Sequence, residues 1–156
     1  MAHSNYLLAL YHKCLRFPGG RRLFSAMFAR KAPYFKTIKP QVIDLRENYC
    51  ALTIANRKAV HNHIGTVHAI ALCNGLEMAM GGLAEASIPK HLRWIPKGMT
   101  VNYTAKANSD IRVEASCAPD VWQPGDVAID VQGIREDGTV VITGTITIYV
   151  SEKPAR

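Results

Sequence analysis

The first 43 residues contain no aspartate or glutamate, yet they carry eight of the chain's 19 lysines and arginines. The remaining 113 residues hold 11 basic and 12 acidic groups, so the formal net charge of +7 is a property of the N-terminal segment alone. Such an excess suits nucleic acid, an anionic membrane surface or a phosphate-bearing ligand. No stacking-aromatic motif and no basic recognition helix with base-reading polar residues accompanies it, so nucleic acid is not the expected partner. No apolar run reaches the roughly 18 residues of a membrane span. The opening MAHSNYLLALYHKCLRF has too short an apolar run and no small-residue cleavage site for a secretory leader, and too little Ser and Arg for a transit peptide. The four cysteines, Cys14, Cys50, Cys73 and Cys117, are far apart and make no C-x-x-C pair. Neither a zinc site nor a redox motif is suggested, and free thiols in a reducing cytoplasm are expected. There is no internal repeat and no low-complexity tract.

What remains is an ordinary globular composition, 48% apolar and 20% charged over 156 residues, suited to one domain. Residues 4 to about 17 carry an i, i+3, i+4 apolar stripe, with Ser4 as N-cap. Pro18-Gly19-Gly20 breaks it. A second helix with Leu23, Met27 and Phe28 on one side runs to Pro33. Strand signals follow. Val42 to Leu45 and Tyr49 to Ala55 flank the turn Arg46-Glu47-Asn48 and predict a hairpin. Beyond residue 90 the candidates are His91 to Ile95, Thr100 to Ala107, Ile111 to Ser116, Val127 to Ile134 and Val140 to Val150. Asp137-Gly138 reads as a type I′ hairpin turn.

Between the two sets of strands stands NHIGTVHAIALCNGLEMAMGG, residues 62–82. It predicts one long helix, apolar almost all round, stopped by Gly81-Gly82. The layered solution is an α+β fold, an antiparallel sheet wrapped around one central helix. A single sheet covers only part of such a helix, and the remaining face is expected to need a second chain. The helix carries one central acid, Glu77, which is costly in a core unless paired or used. His68 lies nine positions earlier, about 13 Å away along the axis and half a turn round. The two meet only if two copies of the helix lie antiparallel, which predicts a two-fold dimer with two interfacial sites. The helix start, Thr66 to Ile70, offers unpaired amides that stabilise an oxyanion. Gly65 permits the turn into the helix and a close ligand approach. Asn62 can orient water or a thioester, and Glu77 can take a proton from water or attack a carbonyl. His61 and His63 lack the partners of a metal set, and no metal is expected.

The pattern Asn62-x-x-Gly65-Thr66-Val67-His68, with an acid nine residues further along the same helix, resembles the hotdog-fold acyl-CoA thioesterases. It is most similar to the phenylacetate-pathway and medium- and long-chain groups. The element order matches over roughly residues 40–150. The resemblance implies a hotdog domain at 40–151, with residues 1–39 as an N-terminal helical extension. It also implies a homodimer, or a pair of dimers, and no cofactor. Asn62 would contact the attacking water or the thioester, the Ala69 amide would polarise the carbonyl, and His68 would place the thioester. Glu77 of the other subunit would be nucleophile or general base. Arg57 and Lys58, or the N-terminal cations, would meet the coenzyme A phosphates. Two departures stand out. His68-Ala69-Ile70 replaces the common His-Gly-Gly and adds bulk beside the oxyanion site, and the acid is Glu rather than Asp. The expected activity is hydrolysis of a fatty or aromatic acyl-CoA. The alternative is a non-catalytic acyl-CoA binder or sensor on the same fold. A hydratase on this fold would need a different spacing and a Pro-rich loop. Peripheral contact of the basic N-terminus with a membrane is compatible with each of these.

Overall fold

The computed structural model describes residues 5–155. The chain opens with α1 (Tyr6–Leu15), which buries Leu7, Tyr11 and Cys14. Ser4, expected as its cap, lies outside the described residues. Asn5 holds the cap instead, accepting from the Leu7 and Leu8 amides at 2.9 and 3.2 Å. The corner into α2 (Gly20–Lys31) closes only on glycine at position 20, where a Cβ would fall on the Cys14 carbonyl. Ser25 fastens α2 to the sheet by accepting from the Val42 amide at 2.8 Å. Pro33 ends α2, as expected, and also begins a 3-10 segment, Pro33–Ile38, that the apolar pattern did not reveal.

Six strands form one antiparallel sheet: β1 (Gln41–Arg46), β2 (Tyr49–Ile54), β3 (Leu92–Tyr103), β4 (Ile111–Ser116), β5 (Gly125–Arg135) and β6 (Val140–Glu152). Their order is β1-β2-β4-β5-β6-β3, which leaves β1 and β3 at the edges. The two strands expected at His91–Ile95 and Thr100–Ala107 are one strand, β3, with a bulge between Pro96 and Gly98. The bulge moves the helix-facing set from even residues (Trp94, Pro96) to odd ones (Met99, Val101, Tyr103), so no single alternation spans it. Pro96 cannot donate to a ladder and sits on an edge strand. Residues 104–107, expected to extend the strand, leave the sheet instead. The β5–β6 turn also differs from expectation. Only Gly138 has positive φ (86°), and the Gly138 amide donates to Arg135 O at 2.9 Å. That is a three-residue loop closed by a left-handed glycine rather than a type I′ pair.

The long helix α3 runs Ala69–Ser87, past Gly81-Gly82. These glycines pack rather than stop. A Cβ at Gly82 would sit 3.0 Å from the Cys50 sulfur, and one at Gly81 would sit 3.6 Å from the Trp94 ring. Gly75 similarly lets the helix down onto Ile54 and Val113 of the sheet. The helix's other flank is not left wholly for a second chain. The chain's own N-terminal segment covers part of it, with Asn74 donating to Thr37 Oγ1 at 3.1 Å and Phe28 lying against Gly82. Apart from Glu85, exposed near the helix end and accepting from the Trp94 indole at 2.9 Å, a narrow stripe of α3 stays open, with Ile70 and Glu77 exposed and Cys73 half-buried between them. All four cysteines are free thiols. Burial pushes Cys50 up to about 12 and Cys117 to about 11, so neither is a thiolate at neutral pH.

On the outer face of the sheet, Arg112 and Gln132 donate to the two oxygens of Glu114 at 2.6 and 3.0 Å. Partial burial pulls this carboxyl upward, but the hydrogen bonds from Gln132, Arg112 and Tyr49 outweigh it and hold the group below the ordinary range. A folded-state value below the unfolded one gives stability that is present above the unfolded value and is lost as pH falls through the folded one. Glu114→Gln is therefore expected to flatten the acid limb of a melting-temperature profile below about pH 5. An unchanged acid limb would remove the network from the stability account.

Candidate active site

The segment 61–68 is a tight loop that feeds α3. Asn62 organises it. Its Oδ1 accepts from the Ile64 and Thr66 amides at 3.2 and 3.1 Å, and its Nδ2 donates to Thr66 Oγ1 at 2.9 Å. Gly65 has φ +78°, and a Cβ there would meet nothing, so the glycine serves the turn itself. The His61–Val67 bridge closes the loop, and the His68 amide donates to Val60 O at 2.7 Å.

His68 is the N-cap of α3, so the helix begins at Ala69, inside the expected start at Thr66 to Ile70. The His68 Nδ1 accepts from the Ile70 amide at 3.0 Å. In the neutral ring the proton therefore sits on Nε2. The ring consumes one free helix amide. The Ala69 amide has no protein acceptor among the described residues and sits at the positive end of the helix dipole.

A cleft of about 390 Å³ opens beside this amide. Asn62, Thr66 and Ala69 line one side, and Tyr103, Thr104 and Lys106 the other. Lys106 brings a cation to the cleft that the sequence did not flag, because residues 104–107 read as the end of a strand. Arg57 and Lys58 are not in the cleft lining. Arg57 turns away and donates from Nη2 to Thr37 O at 2.6 Å, and Lys58 is exposed.

Glu77 lies eight residues along α3 from Ala69, about 12 Å of rise, and is outside the cleft of its own chain. It is exposed between buried neighbours, and among the described residues it forms no ion pair and no side-chain hydrogen bond. Cys73, one turn earlier, lies against the Tyr103 hydroxyl, and burial raises its pKa. The open stripe of α3 thus runs beside the edge strand β3 and ends at the cleft. His61 Nε2 is 2.6 Å from Asn56 Oδ1, and His63 is exposed. No group of three His, Cys, Asp or Glu side chains comes together among the described residues. No helix among them is long and apolar enough to cross a membrane.

An antiparallel sheet wrapped on one long helix is the hotdog architecture of thioesterase-family structures. Within it, the chain belongs to the family described as domain of unknown function DUF4442, whose model matches residues 20–150. That match includes α2 and the 3-10 segment as well as the sheet. Among solved structures, a structural-genomics protein, APC5556, is 42% identical with a TM-score of 0.83, covering 95% of this chain and 99% of its own. PA5026 of Pseudomonas aeruginosa, named a protein of unknown function and probable thioesterase, is 22% identical with a TM-score of 0.76, covering 88% and 97%. A thioesterase family protein of Silicibacter pomeroyi is 18% identical with a TM-score of 0.70, covering 92% and 99%. Comparison with curated proteins gives no match.

Proposed function

We propose that the protein is a thioester hydrolase that cleaves a fatty or aromatic acyl-CoA at a site shared between two copies of the chain in the cytoplasm. The observation that carries this is Glu77. It is an exposed carboxylate without a partner among the described residues, set between buried neighbours on α3 and too far from its own Ala69 amide to serve it. The thioesterase names of the structural neighbours support the same chemistry.

Two copies paired through the open β3 edges would set their α3 stripes side by side and antiparallel. Each Glu77 would then face the other copy's cleft. The thioester carbonyl would receive the Ala69 amide. Water would attack the carbonyl carbon as Glu77 of the partner takes its proton. The C–S bond would break, and the proton would pass from Glu77 to the leaving thiolate, giving free coenzyme A thiol and a carboxylic acid that ionises by releasing its own proton to solvent. Asn62 shapes the loop that aims the amide. Lys106, with Lys58 further out, offers charge for the coenzyme's phosphates.

Thiol release from a panel of acyl-CoA esters of varied chain length tests the proposal. Turnover of one chain class is expected. The second reading, a non-catalytic acyl-CoA binder, is favoured by Ile70, 54% exposed beside the helix start and bulky there. Saturable acyl-CoA binding without thiol release would establish that reading instead.

A further inference from the structure

The basic N-terminal segment takes no part in the proposed chemistry, and its surface has a definite shape. On α2, Phe24, Ser25 and Ala29 are buried, with Phe28 half-buried beside them. Leu23, Ala26 and Met27 point about half a turn away from that set, and all three are exposed, Leu23 by 55%. The helix therefore has a second apolar stripe, at i, i+3, i+4, that the fold does not use. Arg22 and Arg30 flank it, both exposed. Phe17, at the α1–α2 corner, is 62% exposed.

Two hollows sit beside this stripe. One, of about 490 Å³, is lined by Leu15, Phe17 and Arg21, and the other, of about 420 Å³, by Ala26, Lys36 and Lys39. They share Arg22 and Gln41, so they form one continuous trough. No acid lines it, and none of the basic residues before Asp44 forms an ion pair among the described residues. Four cations are thus held beside an apolar ridge, with no acid lining the trough and no ion pair to any of them among the described residues.

We infer that this face docks on an anionic phospholipid bilayer. Arg21, Arg22, Lys36 and Lys39 meet the phosphate headgroups, and Phe17, Leu23 and Met27 enter the headgroup–acyl boundary. The charge alone would also suit a nucleic-acid backbone. The apolar ridge decides between them, because a phosphodiester surface offers nothing to bury Phe17 or Leu23, whereas the bilayer interface does. The surface does not overlap the residues of the proposed active site, and its test requires no substrate.

The full chain is centrifuged with vesicles of pure phosphatidylcholine, and with vesicles about one-third phosphatidylglycerol, in low salt. Sedimentation is expected only with the anionic vesicles. Each cation near such a surface is worth roughly fivefold in partitioning, so Arg22→Gln should weaken binding about fivefold and Arg22→Gln/Lys36→Gln/Lys39→Gln roughly a hundredfold. Phe17→Ser/Leu23→Ser should weaken it as well, with every charge retained. Melting curves of these variants check that the fold is kept, and the single Arg22→Gln change carries the test if the triple variant melts early. The inference is overturned if the chain ignores anionic vesicles. It is also overturned if neutral ones bind equally, if the Gln variants bind as the parent does, or if a short DNA duplex binds as tightly and Phe17→Ser/Leu23→Ser changes neither.

Discussion

Glu77→Ala is expected to lower kcat for acyl-CoA hydrolysis by about a hundredfold to ten-thousandfold, the range that a positioned general base supplies. Glu77→Gln should do the same, because the amide keeps the shape and loses the basicity. Glu77→Asp should fall between, since the carboxylate survives but sits one methylene short. Stability should barely move. The side chain is exposed and forms no ion pair or side-chain hydrogen bond among the described residues, so a surface change of this kind stays within about 0.5 kcal/mol, and alanine is the better helix former. A loss of turnover at constant melting temperature and constant dimer mass would separate chemistry from folding. Full turnover by Glu77→Ala would eliminate the carboxylate from the mechanism and leave its isolation on α3 without an account.

The acid in the middle of the apolar helix, Glu77, was visible in the sequence because it broke a period, whereas Glu85, the second acid of α3, lay beyond the expected stop at Gly81-Gly82. The antiparallel sheet was visible from its period too. The β4 strand alternates cleanly, with Ile111, Val113 and Ala115 inward, and β6 does so from Ile142 on, with Ile142, Ile146 and Ile148 inward. Features that depend on tertiary contact were not legible. A bulge resets the face of β3, so its two halves read as separate strands. Gly81-Gly82 resembles a helix stop, yet each glycine answers to a neighbour distant in sequence, Trp94 and Cys50. The 3-10 segment hides because its anchor is Asn74, buried on another element. The exposed ridge on α2 was merged with its buried face, since both are apolar and only packing tells Leu23 from Phe24.

The site shows the same division. Gly65 and Asn62 stood out as residue types. The three hydrogen bonds that make Asn62 the keystone of the loop could not be read from its place in a motif. His68 stood out as a group for the thioester, and its second task, capping the helix through a ring nitrogen, carried no signal. Lys106 carried no signal at all, because its place in the cleft depends on β3 ending at Tyr103. One-dimensional pattern thus marks unusual residue types better than it assigns their partners.

Mixing two inactive chains should restore activity. Asn62→Ala removes the bonds that shape the 61–68 loop and is expected to disable the amide side of the site. Glu77→Ala disables the carboxylate side. If each site takes its loop from one chain and its acid from the other, a mixed dimer contains one site in which both are intact and one in which both are lost. After unfolding and refolding an equimolar mixture, half the dimers are mixed and one of their two sites works. Activity should therefore rise from near zero to roughly a quarter of the parent's, the statistical limit for a two-fold arrangement. A site built within one chain gives no recovery, because every site then carries one lesion or the other. The measurement does not depend on which acyl group is used, provided the parent turns it over. A mixture that stays inactive while native mass analysis confirms mixed dimers would place Glu77 and the loop in one protomer, where about 12 Å of helix separates them, and the shared-site mechanism would have to be abandoned.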